Sequence, residues 1–315
     1  MMSGRIGLAG EYLELLYRRN RAEGMSKPQA VDTIYLAGQG ILSRALRHEV
    51  DWVLLVSGTY IHPEILVLLQ RAGLRVAALL TETPYADAQE KLIAERVQVV
   101  WTNERTSIPF FEQYCDHVYY WQHALDLERH TPASNGEIVL AHDVVFVGTG
   151  FIERQEFLHG INWEGIDFGL YGGWDLMGSR NRLRKHLVAP IVSNELTAEL
   201  YRRAKVGINL HRLSIGWGRE VSYIEKAESL NPRCYELAAC GCFFICDRRA
   251  EVADVFGDLV PTFDTPEEAE DLIRYYLAHE DERRRIAEAL PETVKNHTFD
   301  SRLIEMLEVL ENGTL

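Results

Sequence analysis

Apolar runs of strand length alternate with amphipathic stretches of helical length along almost the whole chain. This alternation is typical of parallel sheets that carry helices on both faces. The sequence therefore predicts an α/β fold. No repeat at solenoid or propeller spacing interrupts the pattern, so two Rossmann-like domains facing each other across a cleft are the economical architecture. Ligands of such sheets bind beyond the carboxyl ends of the strands.

Turn-forming residues break the alternation at positions 131–137, which read T-P-A-S-N-G-E. Because this segment has no apolar period, we predict that it is a linker. It separates an N-terminal domain at residues 1–130 from a C-terminal domain at residues 138–315. A chain of 315 residues is long enough for each domain to bury its own core.

Each predicted domain contains several strand-length apolar runs. In the N-terminal domain the predicted strands lie at residues 33–36, 52–56, 76–80, 97–101 and 117–120. In the C-terminal domain they lie at residues 144–147, 167–171, 206–210, 243–246 and 259–263. Predicted helices lie at residues 63–72, at 266–278, at 281–296 with a break or kink at Pro291, and at 300–312.

The composition is that of a soluble globular protein, with 47% hydrophobic and 25% charged residues. No apolar stretch is long enough to cross a bilayer, and the N-terminus lacks a signal-peptide cleavage pattern, so we expect a cytoplasmic location. The formal net charge of −14 repels polyanions over most of the surface. Nucleic acid is therefore not the expected partner, unless a local basic patch binds it.

The cysteines do not form the framework of a disulfide-rich protein. Four of the five crowd into one helix-strand unit, and their number is odd. They are Cys115, Cys234, Cys240, Cys242 and Cys246. The C-x-C-x3-C run resembles a metal motif, but strand geometry and apolar neighbours favour small buried thiols. We predict no metal site.

Residues 231–247, N-P-R-C-Y-E-L-A-A-C-G-C-F-F-I-C-D, combine a helix start, an acidic residue and an apolar strand. Asn231 is a suitable N-cap and Pro232 suits the first helical position, so the free amides and the positive dipole end should be open to an anion there. Glu236 lies early in this helix among apolar residues, and a buried carboxylate needs a partner. Gly241 is expected to end the helix. A carboxylate beside such a helix start can bind the diol of a ribose or a sugar.

A glycine turn, Gly148-Thr149-Gly150, follows the strand D-V-V-F-V and precedes a helical stretch that contains Arg154. Its backbone amides can hold a diphosphate, with Arg154 as the counter-charge. The alternative is a tight turn that binds nothing. A dinucleotide fingerprint fits less well, because Glu153 stands where the third glycine of G-x-G-x-x-G belongs.

Further polar residues stand where ligands of parallel sheets bind. His211 and Arg212 come directly after the strand V-G-I-N-L, at its carboxyl end. Glu82 holds the equivalent place in the N-terminal domain, while His123 and Asp126 precede the linker. All of these would face the cleft. The alternative for each is a surface or turn-stabilising side chain.

Glu228 precedes Glu236 with seven residues between them. Pro232 argues against one continuous helix through both, so Glu228 is expected in the preceding loop, where it faces water or contacts a sugar hydroxyl.

A basic cluster is expected to be a solvated helix face, with contact to an anionic acceptor as the alternative. It consists of Arg180, Arg182, Arg184 and Lys185. Motifs for metal-held nucleotide transfer, phosphate-loop hydrolysis and serine hydrolases do not occur.

Taken together, these motifs resemble the glycosyltransferase group 1 domain, specifically the spore-maturation-protein branch of the GT-B enzymes. The resemblance covers residues 143–306. It rests on F-V-G-T-G-F-I-E-R, L-Y-G-G-W, A-K-V-G-I-N-L-H-R, residues 231–247 and T-P-E-E-A-E-D-L-I. The segment Y-W-Q-H-A-L-D-L-E-R-H-T-P is similar to the interdomain segment of that family.

The resemblance implies transfer of a sugar, expected to be a hexose, from a nucleotide-diphosphate donor held mainly by the C-terminal domain. A UDP-sugar is the expected co-substrate, no metal or other cofactor is implied, and the anomeric configuration is retained. By the same resemblance Glu236 binds the donor ribose. Gly148, Gly150, Arg154 and Arg233 would lie at the diphosphate.

Roles are also predicted for the other candidate residues of the site. His211 is predicted to contact the donor and Glu228 the sugar. Catalytic candidates are Glu82, His123 and Arg154. In such enzymes the leaving diphosphate, stabilised by amides and arginine, does much of the catalytic work, so no covalent intermediate is expected.

Two functions are alternatives to a glycosyltransferase. A dinucleotide-dependent oxidoreductase is disfavoured by Glu153 and by the lack of an acidic residue at the usual distance after the glycine turn. A non-catalytic nucleotide- or sugar-binding relic is the other. The sequence identifies neither the oligomeric state nor the acceptor, which is a surface polysaccharide, a protein, a small metabolite or a modified DNA base.

Overall fold

The computed structural model divides into two compact units, Met1–Trp121 and Gln122–Leu315. It describes residues 18–19, 22–23, 30–58, 61–133, 141–216, 218 and 221–312. Residues 134–137 of the predicted linker lie outside this part, and the predicted domain boundaries stay a prediction. No helix in the described part is both long and apolar enough to cross a membrane.

The first unit is built around a parallel sheet. Its elements are α1 (Ala30–Arg47), β1 (Trp52–Val56), α2 (Pro63–Arg71), β2 (Arg75–Leu80), α3 (Asp87–Ala94), β3 (Val99–Thr102), a 3-10 turn (Arg105–Ser107), α4 (Ile108–Phe111) and β4 (Val118–Tyr120). The strands pair in the order β1-β2-β3-β4, and every pair is parallel. Ile65 and Leu66 of α2 pack with Val76 and Leu80 of β2 in the core, because helices cover this sheet.

The predicted strand at residues 33–36 is wrong, because these residues lie inside α1. The short run T-I-Y-L fits either structure, and here the pattern continues with helical spacing up to residue 47. Gly38 contributes to the packing of this helix. A Cβ atom at Gly38 would lie 2.5 Å from Cγ1 of Ile65, so the glycine lets α1 approach α2 closely.

The second unit contains a larger parallel sheet. Its elements are β5 (His142–Val147), α5 (Ile152–Gly160), β6 (Phe168–Tyr171), a 3-10 helix (Arg182–His186), β7 (Leu187–Ala189), α6 (Asn194–Arg202), β8 (Ala204–Asn209), β9 (Ser214–Ile215), β10 (Ser222–Tyr223), α7 (Pro232–Ala239), β11 (Phe244–Asp247), α8 (Ala250–Phe256), β12 (Thr262–Phe263), α9 (Pro266–Ala278), α10 (Glu280–Val294) and α11 (Phe299–Asn312). The order β12-β11-β8-β5-β6-β7 is parallel throughout, and β9 pairs with β10 in an antiparallel hairpin.

This strand order creates a topological switch point between β5 and β8. From β5 the chain moves outward through β6 and β7, then returns to the other side of β5 and continues through β8, β11 and β12. Loops leave the carboxyl ends of two neighbouring strands in opposite directions at such a point. The crevice between them is where open parallel sheets bind their ligands.

The helix predicted after Asn231 is confirmed. Oδ1 of Asn231 accepts a hydrogen bond from the amide of Cys234 at 3.3 Å, Pro232 is the first residue of α7, and Gly241 follows the helix with a φ of 65°. The apolar strand behind it is β11, whose first three residues are fully buried.

The helix predicted at residues 281–296 is not broken at Pro291, because α10 runs without interruption from Glu280 to Val294, while a kink at this residue stays a prediction. Ile286, Leu290 and Val294 are buried on both sides of the proline. Burial of one continuous apolar stripe therefore holds the helix together across the amide that proline lacks.

Candidate functional site

Arg154 of α5 spans the switch point of the second unit. Its Nη1 donates to the carbonyl of Thr149 at 3.0 Å, and its Nη2 donates to the carbonyl of Leu210 at 2.7 Å. The guanidinium also lies over the rings of Phe146 and Phe151, at 5.7 and 5.3 Å from the centroids. Arg154 thus connects the loops that follow β5 and β8, and a fixed positive charge stands where a ligand is expected.

The glycine turn has a packing role that the sequence did not reveal. The amide of Gly148 donates to the carbonyl of Tyr171 at 3.0 Å, and that of Gly150 donates to the carbonyl of Gly173 at 2.8 Å. A Cβ atom at Gly150 would lie 2.3 Å from the ring of Trp174. Both amides already have carbonyl partners, so the contact of these two glycines with a diphosphate stays a prediction.

Replacing Gly150 with alanine is expected to destabilise the second unit by about 2–3 kcal/mol, because the added methyl overlaps a buried ring. Gly178→Ala is the matched control, since no atom lies within 4 Å of a Cβ built there. Urea denaturation of both variants measures the difference. Equal stabilities of the two variants would contradict the assignment of a packing role to Gly150.

Glu153 explains why the dinucleotide fingerprint is incomplete. Its Oε1 accepts hydrogen bonds from the amides of Leu213 at 2.9 Å and Ser214 at 3.0 Å. The carboxylate therefore anchors the loop between β8 and β9 to the start of α5. A glycine at this position would leave both amides without that partner.

His211 links the end of β8 to the start of α7. Its Nδ1 lies 2.7 Å from Oδ1 of Asp247, which also accepts the backbone amide of His211 at 2.9 Å. Its Nε2 accepts the amide of Asn231 at 3.1 Å. Because Nε2 needs a lone pair for that bond, these contacts define the neutral tautomer with the proton on Nδ1.

His211, which is buried, and His123, which is half-buried, influence each other in the second unit. Burial lowers the pKa of His211 but the Asp247 carboxylate raises it, with a net rise to about 9. Protonation at Nε2 opposes this rise, because it breaks the bond from Asn231. Burial is the main cause that lowers the pKa of His123 to about 4, and any positive charge on the nearby His211 lowers it as well. The predicted residues His123 and His211 are therefore neighbours, and His123 is neutral at pH 7.

A cavity of about 350 Å³ opens at the carboxyl ends of β8, β11 and β12. Its walls include Arg154 and His211, together with Lys226, Arg248 and Arg249. The last three pair with carboxylates, namely Lys226 with Glu228, Arg248 with Asp264 and Arg249 with Asp247. Arg154 donates to the carbonyl oxygens of Thr149 and Leu210.

Arg233 and Glu236 form a second cluster, on α7. Nη1 of Arg233 lies 2.5 Å from Oε2 of Glu236, whose side chain is only 13% exposed. Tyr201 of α6 is a further neighbour of Arg233, and His130 approaches the other oxygen of Glu236 at 4.0 Å. These four residues are separate from the lining of the cavity in the structure. The predicted donor residues thus fall into two groups within one unit.

Glu251 organises the loop ahead of α7 and was missed by sequence reasoning. Its buried carboxylate accepts the side-chain amide of Gln122 at 2.8 Å and the backbone amide of Leu230 at 2.6 Å. Its own amide donates to the carbonyl of Glu228 at 3.1 Å. Glu228 lies in this loop as predicted, with its side chain 30% exposed and paired to Lys226.

A compact group of potential metal ligands lies beneath this loop. His211, Cys234 and Cys246 are buried, and one ligand atom of each lies within 4.8 Å of the others. Both nitrogens of His211 already bond to Asp247 and Asn231, so the imidazole has no lone pair directed at an ion. We therefore assign no metal to the group.

The other candidate residues have local contacts. Asp126 stabilises a turn, since its Oδ1 accepts the amide of Glu128 at 3.0 Å. Arg212 donates to the carbonyls of Ser214 and Gly216. In the basic cluster, Arg184 is exposed and donates to the carbonyls of Met177 and Gly178. Glu82 is exposed beyond the end of β2 in the first unit, and its catalytic role stays a prediction.

Comparison with known proteins identifies the class of this unit. Residues 154–308 match the family model described as glycosyl transferase-like, and this stretch contains Arg154, His211, Arg233 and Glu236. It is therefore a glycosyl transferase-like domain. No curated protein matches the chain in sequence.

Several solved structures share the fold of the chain. Sucrose-phosphate synthase from Thermosynechococcus elongatus has a TM-score of 0.64 and 11% identity, over 91% of this chain and 80% of that chain. HepE from Anabaena, solved in complex with UDP-glucose, has a TM-score of 0.59 and 12% identity, over 88% and 82%. An α-glucosyltransferase solved with UDP and a 13-mer DNA containing an HMU base has a TM-score of 0.59 and 13% identity, over 85% and 83%.

At these identities the structural likeness shows the fold alone. It is the GT-B fold, and the predicted α/β class with Rossmann-like domains is confirmed. The chain therefore contains a glycosyl transferase-like domain at residues 154–308, and its fold is of the GT-B type.

Proposed function

We propose that the chain is a metal-independent, retaining hexosyltransferase that uses a nucleotide-diphosphate sugar, with a UDP-sugar as the first candidate. The observation that carries the proposal is the position of Arg154 at the switch point, beside a cavity of about 350 Å³. Switch points of parallel sheets bind phosphorylated ligands, and an arginine suits a diphosphate there.

Arg154 is proposed to stabilise the leaving group. Negative charge grows on the nucleoside diphosphate as the bond between sugar and phosphate breaks, and a preorganised cation lowers the barrier to that step. Two carbonyl oxygens hold the guanidinium in place before any ligand arrives. Because this charge stabilisation needs no protein nucleophile, we propose no covalent intermediate.

Glu236 is proposed to bind the ribose of the donor. Its carboxylate is mostly buried and paired with Arg233, so it can accept hydrogen bonds from a diol in a site with little competing water. Arg233, one residue after the first position of α7, adds positive charge near the diphosphate.

Side chains around the transferred sugar are assigned by their chemistry. His123 is neutral at pH 7 and offers one donor and one acceptor nitrogen to a hydroxyl group. Glu228 and His211 are proposed to contact the donor, and Glu82 of the first unit is proposed to meet the acceptor.

We further propose that the protein is cytoplasmic and belongs to the spore-maturation-protein branch. The acceptor is a glycan, a protein, a small molecule or a modified DNA base.

Thermal-shift measurements with UDP, UDP-glucose and NAD⁺, each with and without EDTA, test this proposal. We expect UDP and UDP-glucose to raise the melting temperature as much with EDTA as without it, because the proposed site uses arginine in place of a metal. Stabilisation by NAD⁺ alone would instead support an oxidoreductase. Binding of UDP-glucose without hydrolysis or transfer to any acceptor would indicate a non-catalytic relic.

A further inference from the structure

His130 is a buried histidine whose ring has no hydrogen-bond partner within the described part of the chain. Only 3% of the residue is exposed, yet neither Nδ1 nor Nε2 forms a hydrogen bond there. Leaving a buried donor and a buried acceptor unsatisfied costs free energy, and folded proteins normally fill such positions with water or a ligand. The imidazole therefore indicates a binding position.

The backbone on both sides of His130 is anchored. The amide of His130 donates to the carbonyl of Asp126 at 2.8 Å. Nη1 of Arg202, in α6, donates to the carbonyls of Arg129 and Thr131, each at 3.2 Å. These bonds hold the ring in its position beside Glu236, so the orientation does not depend on a ligand.

The gap between His130 and Glu236 fits one bridging oxygen atom. Nε2 of His130 lies 4.0 Å from Oε1 of Glu236, which is too long for a direct hydrogen bond. An oxygen about 2.8 Å from both atoms would make an angle of about 90° between them. A hydroxyl placed there can donate to the carboxylate and accept from the imidazole N–H.

His130 is suited to donate to such a hydroxyl. Burial lowers the pKa of its imidazole, and the Glu236 carboxylate only partly offsets this effect. The ring is therefore neutral at pH 7, with one N–H donor and one acceptor nitrogen. A neutral donor paired with an ionised acceptor is complementary to a hydroxyl group.

We propose that His130 and Glu236 together hold one ribose hydroxyl of the nucleotide, so that the site selects ribonucleoside over deoxyribonucleoside diphosphates. This inference rests on the proposed function, which assigns the ribose to Glu236. It adds a second side chain on the opposite side of the hydroxyl. The selectivity comes from the two buried groups, which lose their shared partner when the hydroxyl is missing.

Isothermal titration of the full chain with UDP, 2′-deoxy-UDP and 3′-deoxy-UDP tests the inference. We expect the wild type to bind UDP more tightly than one of the deoxynucleotides. His130→Phe fills the buried space without polar atoms, so its melting temperature should equal or exceed that of the wild type. Its affinity for UDP should fall about five- to tenfold, while its affinity for the discriminated deoxynucleotide should not change.

Two further variants separate hydrogen bonding from packing. His130→Gln keeps an N–H donor and should recover most of the selectivity. His186→Phe replaces another histidine with an unpartnered buried Nε2, beside Phe168 at the start of β6, and should leave all three affinities unchanged.

The outcomes distinguish this inference from the proposed function. A wild type that binds neither UDP nor UDP-glucose overturns the proposed UDP-sugar donor, and the inference with it. If UDP binds and His130→Phe leaves its affinity unchanged, or weakens all three nucleotides equally, the inference alone is overturned. If a water molecule and not a ribose hydroxyl bridges His130 and Glu236, one of these two results is expected.

Discussion

Replacing Arg154 with methionine is expected to lower kcat for sugar transfer about a thousandfold, the usual cost of removing a preorganised group that stabilises transition-state charge. Methionine retains the length and apolar contacts of the stem while it removes the charge. Single-turnover measurements with the enzyme in saturating excess over the donor isolate this step from binding. Arg154→Lys restores a charge without the planar fork and should recover only part of the rate.

Arg154 also holds two loops together, so the loss of rate needs a control for loosened structure. Glu153→Ala provides it, since Glu153 anchors the amides of Leu213 and Ser214 in the same region without contributing positive charge. Both variants should melt at lower temperature than the wild type. A loss of rate in Glu153→Ala as large as in Arg154→Met would assign the effect to loop position and exclude charge stabilisation.

The parallel sheets could be predicted because their strands are continuous apolar runs bounded by turns. All the predicted strands after residue 50 overlap observed strands, and the proline-led helices begin at the predicted residues. α1 was missed because its apolar residues near position 34 have no local feature that separates a strand from a helix. α10 continues past Pro291 because burial of its apolar stripe outweighs a local helix-breaking signal.

The candidate site could be predicted only where chemistry follows from chain position. Arg154 follows the glycine turn after β5, His211 comes shortly after β8, and Glu236 follows a recognisable helix start, so a local pattern identified each of them. The partner of Glu153 lies 60 residues further along the chain, and that of Gln122 lies 129 residues away. Such contacts depend on the sheet topology, which single-sequence patterns do not specify.

The same limit explains the glycine turn. Glycines after a strand are typical of phosphate-binding loops, and the pattern is identical when a bulky neighbour requires them. Trp174 is that neighbour for Gly150, and it follows a different strand. A motif therefore indicates where the backbone comes close to another group, while the structure determines whether that group is a ligand or a side chain.

Replacing Glu236 with glutamine is expected to weaken UDP binding about 30- to 100-fold, because hydrogen bonds from ribose hydroxyls to an ionised carboxylate are replaced by weaker bonds to a neutral amide. Affinity for inorganic pyrophosphate, which has no ribose, should stay within a factor of about two, by the same reasoning. Arg154→Met should differ by losing affinity for pyrophosphate as well as for UDP, because both ligands carry the diphosphate. Titration calorimetry with both ligands measures the two patterns.

Glu199→Gln is the matched control for this substitution. Glu199 lies on α6 and pairs with Arg202 at a spacing of three residues, as Glu236 pairs with Arg233 on α7. Both substitutions remove one carboxylate from a helical ion pair. The loss of stability should be larger for Glu236→Gln, because the Glu236 side chain is 13% exposed and that of Glu199 is 46% exposed, whereas only Glu236→Gln should affect UDP affinity. Equal UDP affinities in the two variants would contradict the proposal that Glu236 binds the ribose. If Glu236→Gln loses affinity for UDP and for pyrophosphate equally, the carboxylate acts on binding of the diphosphate, through Arg233.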